Sequence, residues 1–308
     1  MAKTEVITLD LNFQGRKQAI AVYLIKHSSG AILIECGPGT TLPALQAGLK
    51  AHGFSASDIT HVFLTHIHLD HAGSAGWWAG QGAQIIVHPN GAPHMLNPEK
   101  LLASAARIYG DQMETLWGEF LPVPQNQLKI ASDAEEIAIG ALRIKAINTP
   151  GHAEHHYVYL FEDIAFTGDV GGMRLPGLRY LQLPMPPPEL HFGKWHETLK
   201  RLRKEKFNRI APTHFGIFDD PEWQLDEVEK ELTAAEKWLE AVMPAEPTIE
   251  ELRQKFADRM NEQTRAQGLS DNTVKTLGAA NPLGMSADGL LRYWKKVRMV
   301  EGSPRQTK

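Results

Sequence analysis

A single cysteine, Cys36, stands among 308 residues. No internal disulfide can staple this chain, and such sparing use of cysteine fits a reducing compartment. No stretch approaches the roughly 18 uncharged apolar residues that a membrane-spanning helix needs. The opening segment, "MAKTEVITLD", lacks the apolar core of a signal peptide. The expectation is a soluble, cytoplasmic protein with no membrane partner. Neither sign of charge dominates: the formal net charge is −4. A broad basic surface for nucleic acid is therefore not expected. Internal repeats and low-complexity tracts are absent, and so is the GxSxG turn that presents a serine nucleophile.

What is present is enough apolar material for a sizeable core. Hydrophobic residues make up 43% and charged residues 22%, which argues against disorder. Alternating apolar runs predict strands over 5–9, 18–25, 31–35, 61–65 and 83–89. A helix is expected over 42–53, where Leu42, Leu45 and Leu49 recur at helical spacing and Gly53 supplies a stop. From 90 to 124 the pattern turns helical, with an interruption at Gly110-Asp111. This reads as a two-helix insert forming a lid. Strands return over 135–139, 142–148, 156–161, 164–168 and 209–214. Residues 170–188 carry too much Gly and Pro for regular structure, and long loops of this kind are often functional. A helix follows over 189–206. Helices are then expected over about 221–241, 248–266 and 286–297. Strand-rich halves interleaved with helices predict two packed sheets with helices outside and a helical tail.

Fourteen histidines are distributed along the chain, and their placement carries the chemistry. "THIHLDH", residues 65–71, packs His66, His68, Asp70 and His71 directly behind an apolar strand. His66 and His68, two apart at a strand end, point the same way. Asp70 and His71, entering the next helix, face a second point nearby. One loop can thus serve two cations, and imidazole with carboxylate suits zinc, iron or manganese. The spacing HxHxDH is a strong signal. Three further pieces also end strands: "NTPGHAEHH" offers His152, "FTGDVGG" offers Asp169, and "APTHFG" offers His214. Ligand types at the ends of several strands describe a site at one edge of a sheet scaffold.

The order HxHxDH, PGH, GD, TH resembles the metallo-β-lactamase superfamily, over about residues 18–216. The resemblance implies an αββα sandwich with a dinuclear site. It implies a catalytic domain over 1–220, with the insert at about 90–124, and a helical extension over 221–308. His66, His68 and His152 would hold one metal. Asp70, His71 and His214 would hold the other, with Asp169 bridging. The full ligand set is more similar to glyoxalase II and related thioesterases and lactonases than to true lactamases. One departure is Glu35-Cys36-Gly37, where family members often carry Asp-Thr-Gly; Cys36 reads as a structural thiol.

Two divalent ions about 3.5–4 Å apart can share a water and lower its pKa from about 15.7 toward 7. The expected activity is therefore dinuclear, metal-dependent hydrolysis of small esters, thioesters or lactones by a bridging hydroxide. Zinc is the first choice of metal. Asp70 is the candidate to orient the hydroxide or carry a proton to the leaving group. Candidate substrate contacts are His155, Tyr180, His191 and Trp77. Two other activities compete. A phosphodiesterase or ribonuclease would use the basic helix Lys194–Arg209 as a phosphate track. A dioxygenase of the persulfide type would use a single iron. The tail is expected to cover the site or to form a homodimer interface.

Overall fold

The computed structural model describes residues 4–301, and within them two sheets form the centre of the molecule. The first sheet has six strands in sequence order. They are β1 (Val6–Asp10), β2 (Ala21–His27), β3 (Gly30–Ile34), β4 (Ile59–Phe63), β5 (Gln84–Val87) and β6 (Leu128–Ile130). Between them lie α1 (Leu42–Ala51), α2 (Leu69–Ala72) and α3 (Ala75–Gly80), then an insert of α4 (Ala92–Leu96), α5 (Glu99–Tyr109) and α6 (Met113–Trp117). The pairs β1–β2 and β2–β3 are antiparallel and the rest of this sheet is parallel. The parallel strands deliver their C-terminal ends, and the loops after them, to one edge.

The second sheet comprises β7 (Glu136–Ile139), β8 (Leu142–Asn148), β9 (Tyr157–Phe161), β10 (Ile164–Phe166) and β11 (Arg209–Ala211), ordered β11-β10-β9-β8-β7. The helix α7 (Phe192–Leu202) precedes β11. The tail is α8 (Pro221–Val242), α9 (Ile249–Ala266), α10 (Asp271–Ala280) and α11 (Leu283–Tyr293), followed by a π-helical turn and the short α12 (Met299–Glu301).

The period of two along a strand explains the layering. In β9, Tyr157, Tyr159 and Phe161 face the core shared with the first sheet. Val158 and Leu160 face a second core built with α7, α8, α9 and α11. All five are buried, as a strand sandwiched between two layers requires. Helices cover both outer faces, giving the four-layer arrangement expected from the sequence. The tail shares its core with the second sheet: Leu225, Val228, Leu252 and Leu290 pack in one cluster with Ile147, Trp195 and Ile210.

The elements depart from expectation in a few places. The insert has three helices: Gly110, at φ +51°, separates α5 from α6 at the expected interruption, and α4 is an additional helix before them. The short strand β6 and the helix α10 had no clear apolar period and were not expected. The last long helix begins at Leu283, three residues before the expected start, behind Pro282.

Candidate metal centre

Each cluster of polar residues follows a strand, as a parallel edge dictates. His66 and His68 follow β4, and Asp70 and His71 sit in α2. His152 follows β8, Asp169 follows β10, and His214 follows β11. Backbone bonds stitch the two sheets here: Tyr157 N–H donates to Thr65 O at 2.7 Å, and Ala21 N–H to Thr213 O at 2.9 Å. Gly168 adopts φ +49°, and a Cβ there would lie 2.7 Å from His156 Nε2. Only glycine lets Asp169 turn inward at this point.

The structure brings all seven of these residues together. One group comprises His66, His68, His152 and Asp169; another comprises Asp70, His71 and His214. Within each, the donor atoms lie within 4.8 Å of one another. Asp169 faces both. Its Oδ2 is 3.3 Å from His152 Nε2 and 3.9 Å from His66 Nε2. Its Oδ1 is 3.3 Å from His71 Nε2 and 3.4 Å from His214 Nε2. Asp70 Oδ2 lies 3.6 Å from His71 Nε2 and 3.4 Å from His214 Nε2.

The chemistry of these donors fits bound cations. His66 Nε2 and His152 Nε2 converge on His68 Nδ1 at 2.9 and 3.0 Å. Neutral imidazoles cannot satisfy three ring nitrogens facing one point, whereas a cation can. His71 Nε2, His214 Nε2 and Asp169 Oδ1 are buried with no hydrogen-bond partner. The far sides of the rings are occupied. His152 Nδ1 lies 2.9 Å from Pro184 O, His214 Nδ1 lies 2.6 Å from Ala19 O, and His71 Nδ1 lies 3.0 Å from Glu35 Oε1. A ring that donates its Nδ1–H outward aims the Nε2 lone pair inward, the orientation of a metal-binding histidine.

Burial pushes His66 well down, His68 down to about 3, and His152 down, so these rings are neutral as ligands must be. Burial also pulls on His71, but Asp70, Asp169 and Glu35 outweigh it and raise the ring well above its ordinary value. Likewise Asp169 and Asp70 raise His214 against burial. Burial opposes the charge on Asp169, yet His71, His152 and His214 hold it well below the usual range. The carboxylates of Asp70 and Asp169 thus act most strongly on His71 and His214.

Sequence reasoning gave Glu35 no role here. It is fully buried, at φ +67°, an uncommon conformation for a residue with a Cβ. Its carboxylate accepts from Thr65 Oγ1, from Thr213 Oγ1 at 3.0 Å and from Thr65 N at 3.3 Å, besides facing His71. One carboxylate therefore ties together the turns after β3, β4 and β11. Cys36 is fully buried and its thiol is pushed up to about 12 by burial, which leaves it chemically inert.

Above the centre opens a cavity of about 210 Å³. His68, Asp70 and Asp169 form its floor, and Phe13, Trp117, Leu101, Pro184 and Met285 are among its apolar walls. Of the four candidate substrate contacts, His155 lines it, beside Glu189 at 3.6 Å. The others sit elsewhere. Tyr180 is turned into the protein, and its hydroxyl accepts from Gln182 Nε2 at 3.0 Å. His191 caps α7, accepting from Lys194 N at 3.3 Å. Trp77 is half-buried against the core next to the fully buried Trp78. The phenol that does line the cavity belongs to Tyr109, in the insert, and it donates to Met285 Sδ at 2.9 Å.

A two-sheet sandwich with a histidine- and aspartate-rich edge defines a metallo-hydrolase class of protein. The family model of the metallo-beta-lactamase superfamily matches residues 15–214, and the chain belongs to that superfamily. It is 29% identical over 193 residues to the metallo-beta-lactamase fold-containing protein ST1585 of Sulfurisphaera tokodaii, covering 60% of this chain and 72% of that one. It is 24% identical over 259 residues to an atrochrysone carboxyl ACP thioesterase of Aspergillus fumigatus, covering 82% of this chain and 68% of that protein. Against the lactamase-like protein adaB of Aspergillus niger, 29% identical over 158 residues, the match takes in 49% of this chain and only 39% of the relative's length. The solved structure of the metallo-beta-lactamase family protein TTHA1429 from Thermus thermophilus superposes with a TM-score of 0.69 at 19% identity, covering 95% of this chain and 93% of that one. That likeness establishes the fold. No helix among the described residues is long and apolar enough to cross a membrane.

Proposed function

We propose that this protein is a dinuclear metal-dependent hydrolase of small esters, thioesters or lactones. The observation that carries the reading is the two-sided placement of Asp169, with Oδ2 toward His66 and His152 and Oδ1 toward His71 and His214. His66, His68 and His152 would hold one ion, Asp70, His71 and His214 the other, and Asp169 would touch both. Zinc suits this donor set best, with iron or manganese as substitutes. When bound, such a pair supplies a water acidified to a pKa near about 7 and a Lewis acid for the carbonyl oxygen.

The chain's own groups do the rest. The apolar cavity walls exclude bulk water and seat an uncharged acyl group. Asp70 has its Oδ2 against the second group and lines the cavity floor, so it can accept a proton from water and pass one to a leaving group. Glu35, the Pro184 carbonyl and the Ala19 carbonyl hold three imidazoles in the ligating orientation.

An ester-type bond fits better than a phosphodiester. Most cations of the basic helix and its surroundings are paired: Lys194 with Glu154, Lys200 with Glu197, Arg201 with Asp133, Arg203 with Asp226 and Glu229, and Arg209 with Asp163. A phosphate track needs free cations. The relatives that bear thioesterase names support the same choice. Metal analysis of the purified protein, followed by a panel of thioester, lactone, ester and phosphodiester substrates, tests the reading. Two ions per chain with thioester or lactone turnover is expected. A single iron with no hydrolysis would overturn it.

A further inference from the structure

His155 lines the cavity over the centre and belongs to neither ligand group. It lies in the connection between β8 and β9, three positions beyond His152. Its ring is buried and wedged among the first group's rings. It lies nearly parallel to His66, at 13° with centroids 6.1 Å apart, and edge-on to His68, at 90° and 5.5 Å. Packing on two sides leaves the imidazole one orientation.

The hydrogen bonding of that ring fixes its tautomer. Nδ1 accepts from the Ile67 N–H at 3.4 Å. A neutral imidazole has one acceptor nitrogen and one donor. With Nδ1 the acceptor, Nε2 carries the proton. Glu189, also in the cavity wall, stands 3.6 Å from Nε2, beyond a hydrogen bond. Its Oε2 is already engaged by the Glu154 N–H at 2.8 Å. Lys194, bound to Glu154 at 2.5 Å, and His94 both act against the Glu189 charge. The Nε2–H is thereby left available to a molecule in the cavity.

Asp70 decides where that molecule's charge can develop. It lines the floor on the side of the second group, 3.4 Å from His214 Nε2. A carboxylate repels a forming oxyanion, whereas a fixed hydrogen-bond donor aimed at one lowers the barrier. The donor stands on the side of the first group, where His155 packs against His66 and His68.

We propose that His155 is a catalytic residue: its Nε2–H donates to the acyl carbonyl oxygen of the substrate and holds the negative charge which that oxygen takes on. The inference rests on the ester-type reading above and assigns one residue to that reaction. Water adds to the carbonyl carbon, and the carbonyl oxygen takes the electron pair of the π bond. That pair then re-forms the carbonyl as the C–O or C–S bond breaks, and the leaving group takes a proton. The products are a carboxylic acid and a free alcohol or thiol.

The test uses the zinc-loaded protein and S-ethyl thiohexanoate. His155→Phe keeps a flat ring and removes the donor. Its kcat should fall about 10²-fold, the worth of one oxyanion donor, with both ions retained. KM should stay within about threefold, since the interaction belongs to the transition state. His155→Gln, whose amide nitrogen reaches about as far as Nε2, should recover about tenfold of the loss. Full kcat in His155→Phe would overturn the assignment, as would a His155→Gln variant that holds both ions and is no faster. NMR of the ring nitrogens in the unaltered protein tests the donor without turnover. A protonated Nε2 on His155 at pH 7 is expected, and a protonated Nδ1 would overturn the assignment even where hydrolysis proceeds. If the ester is not cleaved at all, the hydrolase reading fails and the donor is judged by binding. The ketone 1-(ethylsulfanyl)heptan-2-one, which cannot be hydrolysed, should then bind about fivefold tighter to the unaltered protein than to His155→Phe, the worth of one hydrogen bond. Equal binding would overturn the donor as well.

Discussion

The two ligand groups of the candidate centre are held by different kinds of neighbour. The group of Asp70, His71 and His214 is anchored from the first sheet. His71 leans on Glu35, His214 on the Ala19 carbonyl, and Glu35 is itself gripped by Thr65 and Thr213. The group of His66, His68 and His152 depends in part on the proline-rich loop, whose Pro184 carbonyl faces His152. That loop is held by the tail. Asn281 Nδ2 donates to Leu183 O, Ser286 Oγ accepts from Met185 N, and Arg292 Nε donates to Pro188 O. Helix α11 lies so close that a Cβ on Gly289 would sit 1.9 Å from Met185 O. One half of the site is thus built on strand ends, and the other is finished by helices far along the chain. Rigid elements hold ligands more tightly than loops do, so the halves should respond differently to damage.

Asp169 belongs to both halves, so its loss should have the largest effect. Asp169→Ala should lower metal content toward zero and cut ester turnover by at least about 10³-fold, since an unmetallated site cannot acidify water. Elemental analysis and kinetics on the same sample check this. Asp70→Asn should come next: about 10²-fold lower kcat at saturating metal, the usual size of a proton-transfer role, with the second ion held more weakly and the first retained. An Asp70→Asn variant that keeps both ions and full turnover would remove Asp70 from the mechanism.

Glu35→Gln and Ser286→Ala sharpen the comparison itself. Glu35→Gln should weaken the second ion by about 10- to 100-fold, the range seen when the partner of a ligating histidine is removed. The first ion should stay nearly unchanged. Ser286→Ala should loosen the loop and weaken the first ion by a few-fold at most. Competition with a chelator resolves two affinities and shows which one moved.

The smallest effect concerns acid. A hydrogen bond from Arg174 holds the Asp220 carboxyl below its usual value. A carboxyl depressed on folding adds stability above its unfolded pKa, and that stability is lost as pH falls through the folded value. Asp220→Asn should therefore lower the urea midpoint at pH 7 and make little difference at pH 3.

The seven ligand candidates were legible in the sequence because strand ends announce themselves. An apolar run followed by a turn residue and a histidine or aspartate fixes both the direction and the location of the side chain. The same alternation revealed most strands. Glu35 was not legible as a partner of His71. A carboxylate in "IECGPG" looks like a turn residue, and its grip on Thr65 and Thr213 crosses 30 and 178 positions of sequence. The choice between Tyr180 and Tyr109 was equally hidden. Both lie in segments near the site, and which segment faces inward is decided by packing against α10 and α11, with no period to announce it. Helix α10 was missed for the same reason: Thr276, Leu277 and Ala280 bury a narrow face among polar neighbours.

The most direct test of the account is anomalous X-ray diffraction from crystals of the zinc-loaded protein, recorded on both sides of the metal edge. Two peaks are expected, one among His66, His68 and His152 and one among Asp70, His71 and His214, with the two oxygens of Asp169 each reaching a different ion. A single peak, or an Asp169 carboxylate that touches neither, would contradict it.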